Sequence, residues 1–342
     1  MEKTIESASG VLRGGNALKR SSNFELLRIV CMLFIILHHF SVHTVLPSEA
    51  PEINLIIMKI CAIGGKIGVN SYVLISGYFL INSKFKLSKL IKIIAEVVFY
   101  SLLIYGILCL TGEVEFSWQG LANQAFPIIK EQYWFMTAYV VTYALSPFIN
   151  KALKSLSNKE YLVLLALLIA FQWNLPFFNL GNYLGNAGWF ITIYAIAGYI
   201  RLYPHKIFNS KLIINLTFFI TLTLIIIFAI FGVSLWELKS PICVLNSISL
   251  FCIFKNLNLK DSKFINLISS ATLGVYLIHD NAFIRPLLWN EILLVPKHMN
   301  FTTFILFAIV SLVVVFIACT LIDLHRSLIE NLIVKAIKKR RK

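Results

Sequence analysis

Charge is what this sequence has least of: only 14% of its 342 residues are Asp, Glu, Lys or Arg, while 58% are hydrophobic. A soluble domain carries roughly a quarter charged residues, so a water-soluble globule is excluded; nearly every helix in it would have to be buried on all sides. The six cysteines form no CxxC pair and lie mostly in apolar runs, which excludes a disulfide framework and a cysteine zinc site. The glycines of GGNAL and IGGKIGV lack the strand-turn-helix setting of a phosphate-binding loop. No run alternates polar and apolar residues as a membrane barrel strand does. No polar stretch is long enough to house a separate catalytic domain, so any chemistry belongs to the apolar body or its two mouths.

What is present is a series of apolar runs, each long enough to cross the ~30 Å hydrocarbon layer as a helix rising ~1.5 Å per residue. The expected fold is all-α, a polytopic integral membrane bundle of about ten transmembrane helices. Their approximate bounds are 24–46, 54–81, 92–111, 132–150, 160–175, 187–203, 212–235, 240–256, 267–287 and 301–323. An amphipathic stretch at 121–130 lies along the interface or re-enters. No internal repeat and no long linker is visible, and the first apolar run has no small-residue cleavage site, so it stays as an uncleaved span. The expected domains are therefore a basic N-terminal segment at 1–23, a transmembrane body at 24–323 and a basic C-terminal tail at 324–342.

The net charge of +15 comes from 31 basic against 16 acidic residues. The basic ones cluster in every second connecting segment, as at Lys84, Lys86, Lys89 and Lys92 and again from Lys335 to Lys342, while Glu49, Glu52, Glu113, Glu115 and Glu237 occupy the alternate segments. The positive-inside rule then places both termini in the cytoplasm. The same placement accounts for the basic balance without nucleic acid.

The first apolar run, NFELLRIVCMLFIILHHFSVH, carries titratable groups where they are costly. Arg28 and His39 are 11 residues apart, which at ~100° per residue puts them on one helix face, ~16 Å apart along the axis. Glu25 and His43 fall near the same stripe; His38 is turned away by about 100°. Imidazole suits proton removal near neutral pH, with an unperturbed pKa of ~6.5. Singly, Arg28 reads as an interfacial anchor and a membrane histidine as a helix-helix hydrogen bond. Their shared face argues for a site. No metal is expected, since His39 and His43 have no HExxH motif and no carboxylate near them in sequence.

The spacing of arginine, ten residues and histidine in ELLRIVCMLFIILHHF resembles the first-helix signature of the membrane acyltransferase-3 family. GVNSYVLISGYFL at Gly68–Leu80, YWFMTAYVVTYALSPFI and LGVYLIHD at Leu273–Asp280 resemble later segments of that family in order. Glu25 stands where Asp is frequent in the family, and lysines replace paired arginines after the second helix. The resemblance implies transfer of an acetyl or other short acyl group from acyl-CoA, used as co-substrate, to a hydroxyl of a surface or exported polysaccharide or its lipid-linked precursor. It implies His39 as the catalytic histidine and Arg28 as a donor-binding residue, with no permanently bound cofactor. Whether His39 acts as a general base or carries the acyl group itself stays open at this stage.

Lys66 is a further donor-binding candidate if its helix lines the cavity. His279 and Asp280 form a possible acceptor site, where an imidazole beside a carboxylate orients or protonates the incoming group. Trp134 is a candidate for stacking on a sugar ring or a member of the interfacial aromatic belt. Ser76 reads as a packing residue. The expected surroundings are the bilayer of a bacterial inner (plasma) membrane, in keeping with the Ile-, Leu-, Lys- and Asn-rich composition. The oligomeric state is open. The rival readings are a lipid-linked oligosaccharide flippase or other transporter, which would show repeats and broken helices; a glycan polymerase, which would need a large arginine-bearing outer loop; and a scaffold, which leaves the buried Arg and His unexplained.

Overall fold

The computed structural model describes residues 21–173, 181–300 and 302–340. Most of the basic N-terminal segment and half of the Asn- and Gly-rich loop expected around 174–188 lie outside them. The described residues are helical and contain no strand. Helix α1 spans Ser22–Val42, α2 Glu52–Leu80, α3 Leu87–Thr111, the short α4 Trp118–Ala125, α5 Trp134–Ser155, α6 Asn158–Gln172 and α7 Gly181–Leu202. They are followed by α8 Lys211–Ile230, α9 Pro241–Lys255, α10 Lys263–Ser270, α11 Thr272–His279 and α12 Phe304–Arg340. Four of them, α1, α3, α8 and most of α12, are long and apolar enough to cross a membrane.

Local chemistry explains several ends. Ser157 accepts from the Glu160 amide while the Glu160 carboxylate accepts from the Ser157 amide, a capping box that satisfies two amides at the start of α6. Gly112, at φ 81°, ends α3 in the left-handed conformation that a side chain would resist. Gly185, at φ 53° and ψ −158°, interrupts α7 in a region essentially reserved for glycine.

Helix α2 is the centre of the bundle. Its glycines let neighbours approach closely: a Cβ at Gly68 would lie 2.8 Å from the Cys31 carbonyl oxygen of α1, and one at Gly77 2.8 Å from the Tyr194 carbonyl of α7. Gly64 and Gly65 meet the Phe34 and His38 side chains in the same way. Such small-residue seams are how apolar helices gain contact when burial from water drives nothing.

Three expectations on organisation change. The single helix expected at 267–287 is two, broken at Ala271, and it begins at Lys263 and stops at His279. It stops there because the Asn281 side chain caps the Phe283 amide (3.0 Å) and donates to the Tyr133 hydroxyl (2.7 Å), giving the chain a local alternative to another turn. Pro286 follows, and the chain to His298 proceeds in short helical pieces. The last helix does not end near 323 but runs unbroken to Arg340, because Asp323, Arg326 and Glu330 pair along its face and across to Glu96 of α3. Broken helices, expected to be lacking, occur at Gly185 and Ala271. Within the 121–130 stretch, α4 covers only the first part and is followed by turns around Pro127.

Candidate functional site

Helices α10 and α11 run alongside α1 in the same direction. At one end the Ser262 amide donates to the Ser22 hydroxyl (2.8 Å), and at the other His279 meets His39, each pair 240 residues apart. The first half of this seam carries Glu25, which pairs with Arg28 on its own helix and accepts from the Ser269 hydroxyl. Tyr72 of α2 donates to the Arg28 carbonyl (2.8 Å) and holds that turn of α1 against the central helix.

A cavity of about 340 Å³ opens along this seam. Arg28 and His39 both line it, together with Ile35 between them on the same face of α1. The opposite walls are Trp134, Phe135 and Tyr139 of α5, Ser269 and Thr272 at the α10/α11 break, and Tyr276 of α11. Lys89 of α3 lines it as well. A larger groove of about 1040 Å³ lies between α3 and α12, but its walls are mostly aliphatic and its Arg326 is already paired with three carboxylates. Size does not select the site. The larger groove also holds Lys92 and His325 beside that arginine; the smaller cavity is the one that brings Arg28 and His39 of the first helix together.

At the His39 end the hydrogen bonds can be followed proton by proton. The His279 Nδ1 lies 2.6 Å from the Val275 carbonyl, which can only accept, so Nδ1 carries the hydrogen. In a neutral ring His279 Nε2 is then the acceptor, and it lies 2.9 Å from His39 Nδ1. His39 therefore holds its hydrogen on Nδ1, and its Nε2 is left with a lone pair and no hydrogen-bond partner among the described residues. This assignment follows from the network of acceptors, the usual basis for choosing a tautomer. Beside the pair, Asp280 lies 3.5 Å from His39 Nδ1 and 3.6 Å from His43 Nε2, and Arg285 anchors it through Nε at 3.1 Å from its carboxylate and 2.9 Å from its carbonyl. The centre of the group is buried, His279 fully so and Asp280 3% exposed, while His43 and Arg285 are half-buried at its edge. A carboxylate so placed favours positive charge on His39 at the moment it gains a proton.

The candidate residues thus divide. Arg28 and His39 come to one cavity, as their shared face requires, and Trp134 stands on its wall. His38 does point elsewhere, its Nδ1 2.6 Å from the Ala62 carbonyl and its ring over Gly65. Lys66 is not among the lining residues; its ammonium sits 5.4 Å from the ring centroid of Trp134, which is one of them. His279 and Asp280 are not a separate place but partners of His39. Ser76 lines the cavity while its hydroxyl bonds back to the Tyr72 carbonyl (3.0 Å). The carboxylate that the sequence did not place near His39 and His43 is Asp280, and the ligating atoms of these three lie within 4.8 Å of one another. Arg285 was missed altogether. Its only signal was a cation five residues beyond Asp280 in an otherwise acidic segment.

The arrangement offers a cation at one end of a narrow cavity and an unprotonated nitrogen at the other, which is what a proton-abstracting transfer reaction needs. No match is found among curated proteins or among solved structures. The family model described as an acyltransferase domain matches residues 21–324, nearly the whole described chain and both ends of the cavity. With its four apolar membrane-length helices, this chain is a membrane enzyme of acyl transfer and belongs to the acyltransferase-3 family.

Proposed function

We propose that the protein is a membrane O-acyltransferase that moves a short acyl group, acetyl first, from acyl-CoA on the cytoplasmic side to a hydroxyl of a surface or exported polysaccharide or its lipid-linked precursor. In this reading it is a multi-pass protein of the inner membrane with ten spans and both termini inside, as the basic segments require. Acyl-CoA is a co-substrate and there is no resident cofactor.

One observation carries the reading: a single cavity is lined by Arg28 and by His39, with the His39 Nε2 unpartnered among the described residues. Arg28 and His39 lie ~16 Å apart along α1 on the wall of one cavity of about 340 Å³. In this reading the donor's phosphates meet Arg28, where Lys89 adds a second cation, and the thioester extends toward His39.

The step follows from the tautomer. The acceptor hydroxyl attacks the thioester carbonyl carbon as its proton passes to His39 Nε2; the new C–O bond forms and the carbonyl electrons move to oxygen. The imidazolium, now protonated on both nitrogens, keeps its Nδ1 hydrogen toward His279 and faces the Asp280 carboxylate. Collapse expels the thiolate, which takes the proton back from Nε2 and leaves as CoA thiol. His39 is used as a base that returns what it takes. His279 and Asp280 fix the ring and its charge, and Trp134 supplies an aromatic wall against which a sugar can stack.

Purified protein with radiolabelled acetyl-CoA and candidate glycans tests the proposal. Label is expected on a glycan hydroxyl with wild type and not with His39→Ala; label on neither, with surface acetylation in cells unaltered by the substitution, would remove it.

A further inference from the structure

The corner around His39 holds more ligating atoms than one proton transfer needs. His43 follows His39 by one helical turn, and its Nε2 approaches the same Asp280 oxygen that faces His39. We infer that His39, His43 and Asp280 form a reversible three-ligand site for a borderline divalent ion of the Zn²⁺ class, its fourth position left open, and that an ion seated there silences transfer. The silencing half rests on the reading of His39 as the base.

Geometry supports the ion first. Bonds of ~2.0–2.1 Å to four tetrahedral ligands require ligand atoms ~3.3 Å apart. The His39 Nδ1 to Asp280 and His43 Nε2 to Asp280 separations are 3.5 and 3.6 Å, already within a few tenths of that. All the ligand atoms of His39, His43 and Asp280 lie within 4.8 Å of one another, while His279 Nε2, 2.9 Å from His39 Nδ1, stands beside the site as a neighbour. His43 has the freedom to close the remaining edge, since its side chain is 24% exposed and it stands at the end of α1. Two imidazoles and one carboxylate select zinc or copper over the oxygen-seeking magnesium and calcium. The outer shell is built as well: His279, fixed through Nδ1 on the Val275 carbonyl (2.6 Å), sits against His39, and Asp280 is held by Arg285. Arg285 also limits affinity, because a guanidinium beside the carboxylate competes with the incoming cation. That makes the site exchangeable rather than structural.

The consequence for chemistry is a change of tautomer. An ion on His39 Nδ1 takes the lone pair there, so the hydrogen moves to Nε2 and the nitrogen facing the cavity becomes a donor. A base that is already protonated cannot accept the acceptor's proton.

The test uses the full chain in detergent and zinc chloride alone. Equilibrium dialysis with metal counting should find one ion per wild-type chain and none for His43→Gln, while His43→Cys, which restores a zinc ligand, recovers it. Equal binding by wild type and His43→Gln at unchanged elution volume would overturn the site. In transfer assays saturating zinc should lower wild-type turnover tenfold or more and a chelator should restore it. His43→Gln should lose a much smaller fraction of its own rate. Binding without inhibition overturns the silencing. A wild type inactive even in chelator overturns the transfer reading, and the silencing with it, while the dialysis result stands separately.

Discussion

Helices α1 and α8 are nearly the same length, 21 and 20 residues, and both are apolar enough to cross a membrane. Yet half of the apolar stretch of α1 is buried inside the protein, against 22% of that of α8. Phe219 and Ile220 of α8 are largely exposed, whereas Glu25, His38 and His39 of α1 are buried together with Leu27, Cys31 and Ile36. The two helices solve different problems. α8 presents a greasy surface to its surroundings and needs no polar group. α1 is enclosed on several sides by α2, α10, α11 and α12, and so can carry titratable groups at membrane depth because protein, not lipid, meets them.

The sharpest way to test that contrast is to damage each helix by one residue. His39→Ala should lower transfer by ~10²- to 10⁴-fold, the usual contribution of a general base, while the protein still elutes as folded. Phe219→Ala on the exposed face of α8 should leave turnover within twofold. A comparable loss from both would mean that burial of α1 does not mark the site.

Next in size is Arg28→Ala. Losing a charge-assisted contact to a phosphate costs ~1.5–3 kcal/mol, so the KM for acyl-CoA should rise roughly ten- to a hundredfold with little change in kcat. A thermal-shift measurement showing collapse instead would assign Arg28 to folding.

The seam that encloses α1 is testable without any substrate. Gly68→Ala puts a methyl 2.8 Å from the Cys31 carbonyl, a backbone atom that cannot turn aside, and should destabilise the protein by ~1–3 kcal/mol. Gly106→Ala on α3 is the control, since a Cβ there has nothing within 4 Å, and it should stabilise by up to ~1 kcal/mol through helix propensity alone. Equal melting shifts for both would dissolve the packing argument.

The smallest expected effect is on α6, at the periphery. There the hydroxyl and amide of Ser157 hold the Glu160 carboxyl below its ordinary range. A carboxyl depressed in the folded state adds stability above its unfolded pKa of ~4.3 and loses it as the pH falls through the folded value. Ser157→Ala should therefore lower the melting temperature slightly at pH 7 and by less at pH 3.

Sequence alone made the all-helical class legible because it is written in composition, and the site helix legible because 11 residues bring Arg28 and His39 to one face. It also separated His38 from His39 by angle alone. The partners of His39 were not legible as partners. His279, Asp280 and Arg285 lie some 240 residues away, and only the parallel course of α10 and α11 along α1 carries them there. The helix ends were misjudged where side chains overrule apolar periodicity, at Asn281 and along the Asp323, Arg326 and Glu330 ladder. Lys66 shows the converse limit. Its place in mid-helix marks it as a candidate for anions, but no periodicity reveals that its ammonium lies over the ring of Trp134 on another helix.

The glycine seam has a mechanical corollary. With no room for a methyl group at Gly64, Gly65 or Gly68, any sliding or parting of α1 and α2 would give up a whole face of contact. The height of His39 is thus tied to the central helix, whereas the aromatic wall of α5 and the broken α10/α11 segment close the cavity from sides that this seam does not hold.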